Sequence, residues 1–382
     1  MKIATIKAFP ISFSVPAEHQ VRLGIGLAVK RDAVLVRIET DDGIVGWGEA
    51  HAGRAPGSIA QLINTTLTTL IQNMDADDVV GVWDRVYKMQ LASHGMGTAS
   101  SLALSGIDMA LWDIRAKAVG WPLYRLLGGA AKAIPAYAGG VSLGYQRPAE
   151  LTDEAASVVA SGYRALKLRL GDSAHADIAR IVAVRERIGD DIAILTDANT
   201  AYTLDDARRV MPVLDDVNAG WLEEPFAPHD HRRYREAKGF GITPLAAGEN
   251  HFTRFEFHRL IEDGVITILQ PDLSKTGGVT EGMRIAALAS AWKLSINPHT
   301  SLTSLNVAAS IHYLCSIDNA GYFEADLAAH NPFRDQLCSW RAEVDETGHV
   351  RPPENPGLGV QIDEAMLADF PLIDGPGYVL TT

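Results

Sequence analysis

Cysteine is almost missing from this chain of 382 residues: Cys315 and Cys338 are the only two. Neither a disulfide framework nor a thiolate metal site is therefore expected. Long apolar runs are missing as well, and none could cross a bilayer. The opening MKIATIKAFPISF alternates like a strand and lacks the apolar stretch and cleavage site of a secretory leader. A cytoplasmic protein with no membrane partner is the expectation. Positive charge is in short supply, since 34 Lys and Arg face 47 Asp and Glu for a net charge of -13. That balance argues against a nucleic-acid partner. Low-complexity segments and flexible linkers are absent too. What remains is a globular composition, 47% hydrophobic and 21% charged, in a chain long enough for two domains.

The feature that organises the chain is a ladder of polar residues: Asp197 in ILTDAN, Glu223 in WLEEP, Glu249 in AAGEN, Asp272 in LQPDLS, His299 in INPHTS and Glu324 in GYFEAD. Their separations are 26, 26, 23, 27 and 25 residues. Each ends a short apolar run, and an amphipathic segment fills the gap to the next. A strand, its loops and a helix take about 25 residues, so the ladder reads as a (β/α) repeat with a polar residue at each strand's C-terminal end. In a closed parallel barrel those ends share one mouth.

Ahead of the repeat, residues 1–15 and 33–50 read as strands, the second broken at Asp42-Gly43 by a hairpin signal. Residues 16–32 read as a flexible loop. Helical segments follow near 58–73, 77–91 and 98–119, the last stopping at Gly120 before Pro122. Residues 1–125 are thus expected to form an α+β domain. The barrel is expected over 126–335, with strands at 134–139, 163–170, 192–197, 220–223, 244–248, 266–271, 294–298 and 321–324. Its eighth helix is weakly marked. Residues 336–382 look hairpin-like and are expected to return to the first domain.

Asp197, Glu223 and Glu249 come from three consecutive strand ends. Hard oxygen ligands suit Mg²⁺, and the lack of Cys and His among them disfavours zinc. A single strand-end acid more often caps the following helix, but three in register favour a metal. Lys167 and Arg169 lie at i, i+2 on one face of a strand, where inward cations need anionic partners. Asp272 and His299 end neighbouring strands, an arrangement in which a carboxylate fixes the tautomer of an imidazole acid/base. Glu324, ending the eighth strand, could donate or accept a hydrogen bond at a substrate.

GIDMALWD (106–113), PLYRLLGG (122–129), KLR (167–169), the Asp197/Glu223/Glu249 triplet, PDLSKTGG (271–278) and His299 together resemble the enolase superfamily, in its mandelate racemase subgroup. The resemblance spans most of the chain. It implies an α+β capping domain over a modified TIM barrel, (β/α)₇β. It also implies Mg²⁺ on the three acids, abstraction of the proton α to a substrate carboxylate, and a metal-stabilised enediolate. Capping-domain loops, here 16–30 and 50–57 with His19, Arg22, His51 and Arg54, would help select the substrate, and Asn199 falls where the family has a substrate-facing Asn. The family is usually oligomeric, so a homo-oligomer is expected. One departure matters. Racemases of the subgroup carry K-x-K, whose second Lys is a base facing the His across the substrate. Arg169 stands there instead, a poor base but a good anchor for a carboxylate or hydroxyl. A single acid/base, His299, suffices for β-elimination of water, so the expected activity is dehydration of a sugar mono- or diacid. A racemase, epimerase or lactone cycloisomerase using the same enolate is the alternative.

Overall fold

The computed structural model describes residues 1–93, 97–300 and 302–380. The chain opens with a long antiparallel pair, β1 (Ile3–Ser14) against β4 (Lys30–Thr40), and β5 (Val45–Ala50) extends the sheet in the order β1-β4-β5. The turn between β4 and β5 falls at Asp41–Asp42, where Gly43 takes a φ of 87° that an L side chain resists. A helix, Thr98–Ala118, crosses this sheet. Gly46 and Gly48 let it come close: a Cβ at Gly48 would stand 2.1 Å from the Gly106 carbonyl oxygen, and one at Gly46 2.2 Å from that of Ala110. Asp113 on this helix accepts from Trp47 N at 2.9 Å and from Leu358 N at 2.7 Å, joining sheet, helix and C-terminal segment.

Residues 16–32 are more structured than a loop. They hold β2 (Arg22–Leu23) and β3 (Gly26–Ala28), and β3 pairs with β15 (Tyr378–Val379) from the end of the chain. No local pattern marks these strands, because the third strand of this small sheet lies far along the chain. The C-terminal segment also pairs β14 (His349–Val350) with the start of the barrel. Thr381 and Thr382, the last two residues of the expected segment 336–382, lie outside the described residues.

Eight parallel strands follow: β6 (Ile134–Gly139), β7 (Ala165–Arg169), β8 (Ala193–Asp197), β9 (Leu222–Glu223), β10 (Leu245–Ala247), β11 (Ile266–Leu269), β12 (Ser295–Ile296) and β13 (Phe323–Asp326). They hydrogen-bond in the order β12-β11-β10-β9-β8-β7-β6-β13. The ring closes where Ile296 N donates to Asn319 O at 2.9 Å and Gly321 N to Ile296 O at 2.8 Å. The strands are shorter than the apolar runs of the sequence, since the pairing ends where the mouth opens. Seven of them are followed by helices, and β13 by the short turn Pro332–Asp335, which explains the faint eighth helix. Tyr137, Trp221 and Tyr322 meet edge-to-face inside the barrel and fill its floor. The outward faces of the strands join the helices and part of the first domain in one continuous apolar core. The fold is a TIM-type barrel with an antiparallel capping unit.

Candidate active site

Parallel register carries the ladder to one rim. Arg169 is level with Asp197, and Asp197 with Glu223. Lys167, two residues before Arg169, is fully buried, and its ammonium lies 3.0 Å from Glu223 Oε2, 3.0 Å from Glu324 Oε1 and 3.5 Å from Asp197 Oδ2. Burial pulls that ammonium's pKa down, but the carboxylates around it outweigh burial and hold it well above the usual lysine value. Arg169 pairs with Asp197 Oδ2, reaches the Gly140 carbonyl and stands 3.9 Å from Glu324. Asn199, with a φ of 41°, turns its amide back to Asp197 Oδ2 at 3.1 Å.

The Asp272–His299 pair is complete. Asp272 Oδ1 accepts from Ser274 N at 2.7 Å, Ser274 Oγ at 2.6 Å and Asn306 Nδ2 at 3.1 Å. That leaves Oδ2 for His299 Nδ1 at 2.7 Å. Nε2 of His299 lies 3.0 Å from Glu249 Oε2. Burial opposes charge on the imidazole, yet Glu249 and Asp272 raise it well above the ordinary histidine value, and Asp272 in turn is held down to about 2. Glu324 accepts from Gly140 N at 3.1 Å and Thr300 N at 3.3 Å as well as from Lys167. Its pKa is lowered, because Lys167, His299 and Arg169 overcome its burial. These surroundings favour an ionised Glu324 that accepts, rather than the protonated donor that the sequence allowed.

The three expected metal ligands converge on the mouth, each beside a cation: Asp197 by Arg169, Glu223 by Lys167, Glu249 by His299 and by Lys275 at 3.3 Å. Among the described residues no three His, Cys, Asp or Glu side chains stand as a ready metal cluster. Like charges at this depth repel, so each carboxylate turns to the nearest cation instead of to its fellows. The charge balance still fits a divalent ion. Six carboxylates (Asp197, Glu223, Glu224, Glu249, Asp272, Glu324) meet Lys167, Arg169, Lys275 and a protonated His299, two charges too few. The surplus shows. Burial and neighbouring acids push Glu223 up to about 7 and Glu224 well above its usual range, and Glu224 Oε1 has no partner among the described residues.

Above the rim lies a cleft of about 470 Å³, walled by the capping unit at Leu23, Ile25, His51 and Arg54, by the barrel mouth, and by Tyr378 of the C-terminal strand. His51 accepts from Gly53 N through Nδ1 at 3.0 Å; burial and Lys275 push its pKa down to about 3, so it is neutral. Arg54 stacks over Tyr378 at 5.4 Å. His19 and Arg22 do not line the cleft: His19 stacks on His330 at 6.0 Å and Arg22 over Tyr145 at 6.0 Å. Lys275, Glu224 and Tyr378 were not singled out from sequence. Lys275 had a signal, lying one turn beyond Asp272 in PDLSKTGG. A roomier hollow of about 780 Å³ lies under the C-terminal segment around Trp340 and holds none of the ladder residues.

A barrel with a capping unit and a rim of acids, lysine and histidine defines a class of protein. Residues 8–128 match the mandelate racemase / muconate lactonizing enzyme N-terminal domain, and residues 150–366 the enolase C-terminal domain-like family. The chain belongs to the enolase superfamily, in its mandelate racemase branch. Arabinonate dehydratase of Saccharolobus solfataricus is 32% identical over 89% of this chain and 90% of its own length. D-galactarolactone cycloisomerase of Agrobacterium fabrum is 33% identical over 90% and 93%. Among solved structures, a member of the enolase superfamily from Polaromonas sp. JS666 is 54% identical with a TM-score of 0.97, covering 100% of both chains. A racemase from Streptomyces coelicolor with bound magnesium is 29% identical with a TM-score of 0.86, covering 97% and 100%.

Proposed function

We propose that this chain is a Mg²⁺-dependent acid-sugar dehydratase, removing water from a sugar mono- or diacid to give a 2-keto-3-deoxy acid. The observation that carries this is the pairing of one complete acid/base, His299 on Asp272, with an arginine where a second base would stand. Asp197, Glu223 and Glu249 would hold the ion. Bound there, Mg²⁺ would supply positive charge against the substrate carboxylate while the α-carbon becomes anionic.

The chain's own groups do the rest. Asp272 holds Nδ1, which leaves Nε2 of His299 to take the substrate's α-proton once the imidazole has given up its own proton and its contact with Glu249. Lys167 meets charge growing on the substrate carboxylate from the floor of the site. Arg169, always charged, anchors a carboxylate or hydroxyl and abstracts nothing. Protonated His299 then delivers its proton to the departing β-hydroxyl on the same side, and the enol left behind tautomerises to the ketone. Asn199 and neutral His51, which both line the cleft, would bind substrate hydroxyls. The dehydratase relative supports water loss and the cycloisomerase relative supports the alternative, an isomerase working through the same enolate. A homo-oligomer acting on a small carboxylate, without nucleic acid or membrane, completes the proposal.

Mass spectrometry on a panel of mono- and diacid sugars with Mg²⁺ separates the two. Loss of 18 mass units with a 2-keto product supports dehydration. Turnover at unchanged mass rejects it in favour of isomerisation.

A further inference from the structure

Glu49 is the penultimate residue of β5, an edge strand of the capping sheet, yet its side chain serves the barrel. It is completely buried. Oε2 accepts from Thr303 Oγ1 and from Asn306 N at 3.4 Å, while Oε1 has no partner among the described residues. Thr303 is the N-cap of the helix Ser304–Ser316, where its Oγ also accepts from Leu305 N at 3.1 Å. A capping-unit carboxyl thus clamps the first turn of a barrel helix. That turn carries Asn306, also fully buried, whose Nδ2 donates to Asp272 Oδ1 at 3.1 Å.

We infer that Glu49 is a positioning residue for the Asp272–His299 pair, acting from the capping sheet through Thr303 and Asn306. The geometry shows how. The Asp272 carboxylate can rotate until three donors hold Oδ1, and only then does Oδ2 face Nδ1 of His299. Two of those donors come from Ser274, in Asp272's own loop. The third comes from a helix turn that Glu49 sets in place, so the dyad is aligned only when the cap is seated on the barrel. Burial, strengthened by the charge of Asp272, raises the Glu49 carboxyl to about 8 against the opposing hydrogen bond from Thr303. At neutral pH the carboxyl is therefore largely uncharged, and glutamine is its conservative replacement.

The inference rests on the proposed acid/base role of His299 for its kinetic arm only. Glu49→Ala and Asn306→Ala, each verified as folded by circular dichroism, should lower kcat roughly 10- to 100-fold with KM changed by less than about threefold, the scale expected when a partner that orients a reacting group is lost. The double variant should be no worse than the slower single one. Glu49→Gln should restore kcat. Independently of any substrate, the low-field proton resonance of the His299–Asp272 hydrogen bond should shift in Glu49→Ala and return in Glu49→Gln. If Glu49→Ala does not fold, Asn306→Ala and Glu49→Gln carry the test. An unshifted resonance, additive effects in the double variant, or losses confined to KM would overturn the inference. Absence of turnover on any sugar acid, with the resonance behaving as described, would overturn the proposed reaction and leave the positioning role standing.

Discussion

Lys167 is the side chain with the most depending on it. Three carboxylates share its ammonium at zero exposure, so Lys167→Met removes a charge from the reacting centre and leaves Glu223 and Glu324 facing each other. Turnover should fall by at least about 10²-fold, the usual result of losing a preorganised electrostatic contact. Stability should also drop by about 3–5 kcal/mol, as for a broken buried ion pair. Urea unfolding and steady-state rates measure the two; a variant with normal kcat would show that this charge does not act on the reaction. Residues of this kind were legible because strand periodicity fixes where a strand-end acid or an i, i+2 cation points. Glu49 and Glu224 were not. Their importance comes from contacts between distant segments, such as Glu49 with Asn306, and no local pattern encodes those.

Among the elements, the helix Thr98–Ala118 depends on two glycines of the neighbouring strand. Gly48→Ala would drive a methyl group into the Gly106 carbonyl, and only a shift of helix or strand can relieve that. A loss of about 1–3 kcal/mol is expected, the usual cost of overpacking, together with reduced kcat, because Glu49 is the next residue. An unchanged melting temperature would show that the helix is not pressed on the strand. The C-terminal strand is a second such element. Lys30 Nζ donates to the Ile373 and Gly375 carbonyls at 2.6 and 2.8 Å, and β15 pairs with β3 beside the cleft. Deleting residues from 371 onward should leave the barrel folded and raise KM severalfold, since Tyr378 leaves the cleft wall; an unaltered KM would remove this tail from the site. The barrel strands could be read from sequence because the last six each lead to a polar residue at nearly constant spacing. The β2–β3 hairpin could not, because its stability comes from a partner at the other end of the chain.

For the whole molecule, buried acids set the response to pH. Burial raises Glu49 to about 8 and Asp108 to about 7. A raised acid stays protonated in the folded chain while the unfolded chain has released its proton, so stability is full at low pH and is lost as pH rises through the folded value. The half-buried His51 and the buried His251 and His312, pushed down to about 3, 4 and 4, act oppositely, but only below about 6.5, where the unfolded imidazole takes up a proton. Between about pH 6.5 and 8.5 the metal-free melting temperature should therefore fall, and Glu49→Gln should flatten the slope. A rising or level profile in the parent chain would contradict that assignment. Mg²⁺ should offset the fall, by about 2.7 kcal/mol at one hundred times its Kd, and Glu223→Gln should abolish the gain.

Proton NMR in D₂O on a turned-over sugar acid goes furthest toward deciding the account. With Mg²⁺ present, the signal of the proton α to the carboxylate should vanish as a 2-keto-3-deoxy acid appears bearing solvent deuterium at C3, and His299→Asn should stop both changes. A His299→Asn variant that still removes the α-proton at the parent rate, or a parent chain whose α-proton survives in the product, would contradict it.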